Sequence, residues 1–279
     1  MTDAVLQRVY TRACIRRLTA GDTSLLDHIL PAYVTSPNGK TYGELLDETY
    51  DWIDKNYRFE YYYKNELLRK LLLQQGSRRK TALTELPIGE AIADFVLIGQ
   101  EGTVYEIKTA YDNLNRLDTQ LKNYYKAFDK VAVVTCQEYL QPVLSETPEY
   151  VGVSELTAEG AVRTVRPPRS HDEDYDYDTI IRILRKPEYE DILNQEGLHP
   201  QPKSDFTYYR ECTALLKSID LQLLHKRMLQ ELVLRIAEKA AAKCADFPRS
   251  LQLLVYLDSF DTGKNASKLK KTLNREYEG

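Results

Sequence analysis

The sequence predicts an α/β fold with a mixed central sheet flanked by helices. Three observations carry that expectation. Residues 82–88, 91–98 and 103–109 form three closely spaced apolar runs with strand-like composition. A helical stripe of Leu114, Leu117, Leu121, Tyr125 and Phe128 follows them, and the apolar strand 130–135 comes next. Long helical patterns before residue 76 and after residue 205 then frame this core as N- and C-terminal additions.

Taken in order, Leu6, Val9 and Ala13 follow helical spacing. Thr41 is placed to cap a helix running through Leu45, Leu46, Tyr50 and Ile53. A stronger helix is expected over 60–75, with Leu67, Leu68, Leu71 and Leu72 on one side and Gly76 ending it. Run 91–98 is apolar on both faces of its two-residue alternation, which predicts a buried interior strand. Residues 99–102 supply a turn into 103–109, and a helix is expected over about 114–128. Two short strands are expected at 150–154 and 161–165. The acidic run His171 to Asp178 reads as exposed linker. Leu221, Leu224, Met228, Leu232 and Ile236 mark a helix whose apolar stripe would close a bundle or a dimer. A further helix is expected over 250–260, followed by a disordered basic tail. The expected divisions are 1–58 helical, 59–168 core, 169–204 linker and 205–279 helical.

Composition narrows the function classes. The chain is 43% hydrophobic and 29% charged, as in a soluble globular protein. No apolar run approaches the roughly 20 residues of a membrane span, and Met1 to Ala4 does not begin a secretory signal. A cytoplasmic protein without membrane contact is expected. Cys14, Cys136, Cys212 and Cys244 are scattered without metal-ligand spacing, as are the four histidines, so a zinc site is not expected. The net charge of −4 gives no global pull toward nucleic acid. The positive charge is nevertheless clustered at 78–80, at Arg163, Arg166 and Arg169, and at Lys264, Lys268, Lys270, Lys271 and Arg275. The 21 tyrosines, against 6 phenylalanines, favour half-wet surfaces and interfaces.

The candidate chemistry lies in the core. Asp94 interrupts an apolar strand, and such a carboxylate costs several kcal/mol, roughly, unless it is paired or binds a metal. Glu106 and Lys108 share one face of the next strand. Arg116, Gln120 and Tyr124 recur at helical spacing beside the apolar stripe, and an arginine, an amide and a phenol in one row suit a phosphate backbone.

This ordered set resembles the PD-(D/E)xK nuclease superfamily. Asp94 matches its first acid, Glu106-Ile107-Lys108 its acid-x-lysine, and Gln120 to Tyr124 the Gln-x-x-x-Tyr motif of its RecB-like branch. The wider run also resembles a group of uncharacterised bacterial proteins of that superfamily. The resemblance covers roughly residues 60–166 and implies a restriction-endonuclease-like core that hydrolyses DNA phosphodiester bonds with Mg²⁺ or Mn²⁺. It implies metal ligation by Asp94, Glu106 and the Ile107 main-chain carbonyl, with Lys108 at the attacking water or the transition-state charge. It also implies that Glu66 holds a metal-bound water, and Glu85 is a further candidate. DNA is the implied partner, with Arg116, Gln120 and Tyr124 on it and a protein partner at the helical ends. Phage defence, mobile elements and repair are the implied settings. Two departures stand out: no proline precedes Asp94, and Ile92 occupies the position where the bacterial group carries an arginine. The alternative expectation is a nuclease-fold module that has lost catalysis and binds nucleic acid or a protein.

Overall fold

A computed structural model describes residues 3–75, 79–201, 204–237, 239–258 and 263–279. The expectations for Met1, Thr2, Gly76 and Arg78 therefore lie outside the described residues. The chain divides into two units, one of 1–77, 158–161 and 236–279, the other of 78–157 and 162–235. These differ from the divisions expected at 58, 168 and 204.

The second unit holds a sheet of six strands among the described residues. They are β1 (Thr81–Ile88), β2 (Ala91–Ile98), β3 (Gly102–Lys108), β4 (Lys130–Thr135), β5 (Gly152–Leu156) and β6 (Val162–Arg166), and spatial order follows chain order. β1, β2 and β3 form an antiparallel meander, β3, β4 and β5 run parallel, and β6 returns antiparallel. The expected mixed α/β class is the observed one. The β1–β2 turn is tight because Gly89 adopts φ +59, which side-chain-bearing residues resist. The parallel step from β3 to β4 needs a crossover, and helix α5 (Leu117–Tyr124) lies in it and packs on β2. Leu117, Leu121, Tyr125 and Phe128 are all buried, as their spacing predicts. β2 is interior, yet its second residue, Ile92, is 54% exposed.

The largest correction concerns 169–204. Instead of a linker throughout, this stretch carries α7 (Tyr177–Ile183) and α8 (Lys186–Gln195), and the preceding α6 (Leu140–Glu146) packs on β5. Asp176 starts α7 by accepting from the Thr179 amide at 2.8 Å. Ile180, Ile181, Ile192 and Leu193 are then buried, and α7 lies on β1. Arg169, Ser170, Asp172 to Asp174 and Asp178 are exposed as expected. α9 (Asp205–Leu216) packs on α8, and α10 (Leu221–Leu234) packs on α7, α8, β1 and β2. Leu224, Met228, Leu229 and Leu232 are thereby buried, whereas Leu221 and Ile236 at the ends of the expected stripe are half-buried.

His225 on α10 gives this packing a pH dependence. It is buried, its ring centroid lies 4.3 Å from that of Tyr175, and its Nε2 has no hydrogen-bond partner among the described residues. Burial lowers its pKa below 6.5, against the opposing pull of Asp129 and the Ala127 carbonyl. The folded state thus prefers the neutral ring. Above about pH 6.5 both states are neutral and the contribution is complete. As pH falls below that value the unfolded chain binds the proton first, and stability declines until the lowered folded pKa is reached. Urea unfolding of His225→Phe is expected to lose less stability than wild type between about pH 7 and about pH 5.

The first unit is helical. Its elements are α1 (Arg12–Thr19), α2 (Ser24–Ile29), α3 (Tyr42–Asn56), α4 (Glu60–Leu67), α11 (Ala240–Cys244), α12 (Gln252–Leu257) and α13 (Gly263–Leu273). Thr41 caps α3 in a reciprocal box with Glu44, as expected. α4 continues as a π-helical turn over Leu68–Leu73. α13 is a correction: the basic tail, expected to be disordered, is helical from Gly263 and buries Leu269 and Leu273. It packs on α1 and α3, and the chain beyond it pairs Glu276 with Thr41 in a β-bridge. No helix among the described residues is long and apolar enough to cross a membrane.

Candidate active site

The β2–β3 ladder opens where the acids stand. Its pairs run from Ile98↔Gly102 to Phe95↔Tyr105 and stop there. One step further, where Asp94 would face Glu106, the Ile107 amide donates to the Asp94 carboxylate at 2.8 Å. A side chain thus satisfies a main-chain donor that the separating strands leave open. β3 remains paired with β4 through Lys108↔Thr135, so Glu106 and Lys108 stay on a rigid strand. The Thr135 hydroxyl donates to the Lys108 carbonyl at 2.7 Å and fixes the end of that strand.

Gln120, Lys108, Glu106 and Tyr124 are joined in one hydrogen-bonded chain. Lys108 Nζ donates to Glu106 Oε1 at 2.9 Å and to Gln120 Oε1 at 2.9 Å. The Tyr124 hydroxyl lies 2.6 Å from Glu106 Oε2 and 2.9 Å from the Ile92 carbonyl, and its single hydrogen serves one of them at a time. Glu106, Lys108 and Tyr124 are all buried. Burial raises the Tyr124 pKa far above its ordinary value, and the Glu106 charge adds to the effect. Tyr124 is therefore a neutral donor at any physiological pH.

The expected row on α5 divides. Gln120 and Tyr124 turn toward the acid and the lysine, whereas Arg116 sits exposed at the helix N-cap. Asp112, four residues before Arg116, accepts from the Thr109 amide and hydroxyl at 2.8 and 2.7 Å. That contact shapes the loop leaving β3.

Glu85 stands on edge strand β1 with φ 53, in the left-handed region that non-glycine residues avoid. The β1–β2 ladder is interrupted there, between the pairs Thr84↔Phe95 and Leu86↔Ala93, which places Glu85 across from Asp94. The carboxylate oxygens of Glu85 and Asp94 lie within 4.8 Å of each other. Nothing in Thr84-Glu85-Leu86 signals the positive φ. Glu66 belongs to the first unit, where it is 3% exposed. Its Oε1 accepts from Tyr50 at 3.0 Å and from Arg69 at 2.6 Å. The Arg69 contact is an ion pair at i,i+3. Glu66 also lines a polar cavity of about 150 Å³ with Asp54, Tyr62, Arg69 and Arg249. The cysteines are free, and Cys14, Cys212 and Cys244 are buried.

The second unit is therefore a mixed α/β sheet that joins a buried acid, lysine and phenol and a half-buried amide in one hydrogen-bonded chain beside a second acid. The model of the Bacteriophage P4 protein cII family matches residues 54–244, more than half of the chain, and the chain belongs to that family. Protein cII of Enterobacteria phage P4 is 28% identical over 131 residues, which cover 45% of this chain and 47% of that protein. The chain thus spans about half the length of this curated relative. Among solved structures, SPO1766, a protein of unknown function from Silicibacter pomeroyi, aligns with a TM-score of 0.31 and 17% identity. That alignment covers 38% of this chain and 69% of the other.

Proposed function

We propose that this protein is a metal-dependent nuclease that hydrolyses DNA phosphodiester bonds at the opened end of β2 and β3, in the manner of the RecB-like branch of the PD-(D/E)xK superfamily. The observation that carries the reading is the hydrogen-bonded chain of Gln120, Lys108, Glu106 and Tyr124 beside Asp94. It gathers the residues of three separate sequence motifs around one point of the sheet. A divalent cation fits the donor set. Asp94, Glu106 and the Ile107 carbonyl offer hard oxygens suited to Mg²⁺ or Mn²⁺. The proximity of the Glu85 and Asp94 carboxylates is the kind of repulsion a cation relieves. When bound, the metal supplies Lewis acidity to the scissile phosphate and acidity to a water.

The chain's own residues supply the rest. Lys108 has three donors and two protein acceptors here, which leaves one hydrogen for a phosphate oxygen or the attacking water. Tyr124 and Gln120 keep the Glu106 carboxylate and the Lys108 ammonium in place, so both act as positioning residues. Ile92, exposed beside the Tyr124 hydroxyl, puts an apolar contact where the resembling bacterial group carries an arginine. The phage relative is compatible with a mobile-element or phage-defence setting.

One observation favours the alternative of a non-catalytic module that binds nucleic acid or a protein partner. Both oxygens of Glu106 and one of Asp94 are already engaged within the protein. Calorimetric titration with Mn²⁺ separates the two. The nuclease reading expects binding to wild type and at least about tenfold weaker binding to Asp94→Asn, which keeps an acceptor for the Ile107 amide but loses the charge. Absence of Mn²⁺ binding to wild type would favour the module.

A further inference from the structure

We infer that the first unit carries a separate nucleic-acid-binding face on α1 and α13, directed at the phosphate backbone. The two helices pack together, and neither contains an acidic residue, in a chain whose net charge is −4. Lys264, Lys268 and Lys271 recur at i, i+4 and i+7, so they form one exposed stripe on α13. Leu269 and Leu273 hold the opposite side of that helix in the core. On α1, Arg12 and Arg16 are exposed at i and i+4, while Cys14, Ile15 and Leu18 are buried. Arg275 donates to the Gly21 carbonyl at 3.1 Å, which ties the chain just past α13 to the turn just past α1.

These five cations are not neutralised inside the unit. Arg17 is held by Asp22 and Lys270 by Asp246, so those two are spent, but Arg12, Arg16, Lys264, Lys268 and Lys271 form no ion pair among the described residues. An uncompensated row of this kind disfavours folding slightly through self-repulsion and is relieved by a polyanion. The lysine stripe rises about 10 Å along its helix, the axial length of about three nucleotides of one strand. A nucleic acid fits better than an anionic membrane. Between the lysines the exposed residues are Asn265 and Ser267, which can donate to phosphate oxygens, and no large apolar side chain stands there to enter a bilayer.

The inference rests on the phosphodiester reading only for the identity of the polyanion, and its test needs no cleavage. Full-length Lys108→Ala is titrated in EDTA against a fluorescein-labelled DNA duplex, with and without Lys264→Ala/Lys268→Ala/Lys271→Ala, while salt is varied from about 50 to about 200 mM. Circular dichroism confirms that the variants are folded. The triple substitution is expected to weaken binding more than about tenfold and to reduce the slope of log K against log salt by about 3. Unchanged affinity and slope, or tighter binding to phosphatidylserine vesicles than to duplex, overturns the inference. A chain that binds through these lysines but never cuts contradicts the nuclease reading alone. One that cuts, and binds equally well without the lysines, contradicts this face alone.

Discussion

Lys108→Ala is expected to reduce metal-dependent DNA cleavage by a factor on the order of 10²–10³, the usual cost of removing one donor aimed at developing charge. The ammonium is buried between Glu106 and Gln120 and keeps one hydrogen for substrate, so no neighbouring side chain replaces it. The substitution has a second consequence. Removing one partner of a buried ion pair costs about 3–5 kcal/mol, because Glu106 would be left with Tyr124 as its only side-chain donor among the described residues. Cleavage is therefore compared at a temperature where circular dichroism shows both proteins folded. Lys108→Met, which keeps the length of the side chain, is expected to be equally inactive. Recovery of activity in Lys108→Met would show that the lysine acts through packing instead of charge.

Arg235→Leu is expected to cost about 3–5 kcal/mol of stability without touching the site. Arg235 grips Glu188 with Nε at 2.7 Å and Nη2 at 2.6 Å, and Nη2 also donates to the Ile183 carbonyl at 2.6 Å. Both side chains are nearly enclosed, at 8% and 11% exposure, where α7, α8 and the end of α10 meet. Burial pushes the Glu188 pKa up, but the Arg235 hydrogen bonds and the Arg185 amide outweigh it, and the net shift is downward. A lowered carboxyl contributes stability above its unfolded value of about 4.5, and loses it as pH falls through the folded value. Without Arg235 the sign reverses. The buried carboxylate would then prefer its proton, and the variant should regain stability as pH falls from about 7 toward 5. Urea unfolding at several pH values reads both effects. Adding Glu188→Leu is expected to restore much of the loss, since a buried pair replaced by apolar groups is often near neutral.

The strands of the core were legible because each obeys a simple rule. β1, β2, β3 and β4 differ from their expected limits by at most one residue at either end, since apolar runs bounded by turns leave little choice. The order of three strands, a helix and a further strand followed from their spacing, whereas the strand directions come from the pairing itself. α7 was missed because the acidic run before it hid an N-cap: Asp176 belongs as much to the helix as to the exposed segment. In α8, Pro187 sits in the first turn, where its missing amide is no loss. Lys-rich α13 was mistaken for a tail because only two of its residues, Leu269 and Leu273, are large and apolar.

The site was legible to a similar depth. Asp94, Glu106, Lys108, Gln120 and Tyr124 follow from strand alternation and helical spacing, and the fold brings them together. Arg116 shares that spacing but lies at the N-cap, where α5 has barely begun to face the sheet. The left-handed turn at Glu85 and the broken ladders on both sides of Asp94 depend on strand pairing, which a linear pattern does not encode. The assignment of residues 236–279 and 1–77 to one unit depends on contacts between chain ends that no local periodicity reports.

The most direct test of the central claim is cleavage by the wild-type protein of linear, circular and single-stranded DNA, with Mg²⁺ or Mn²⁺ against EDTA. The account predicts phosphodiester hydrolysis that requires the metal, and the circular substrate shows whether an end is needed. Intact DNA in every metal-containing reaction, from protein shown to be folded, would contradict it.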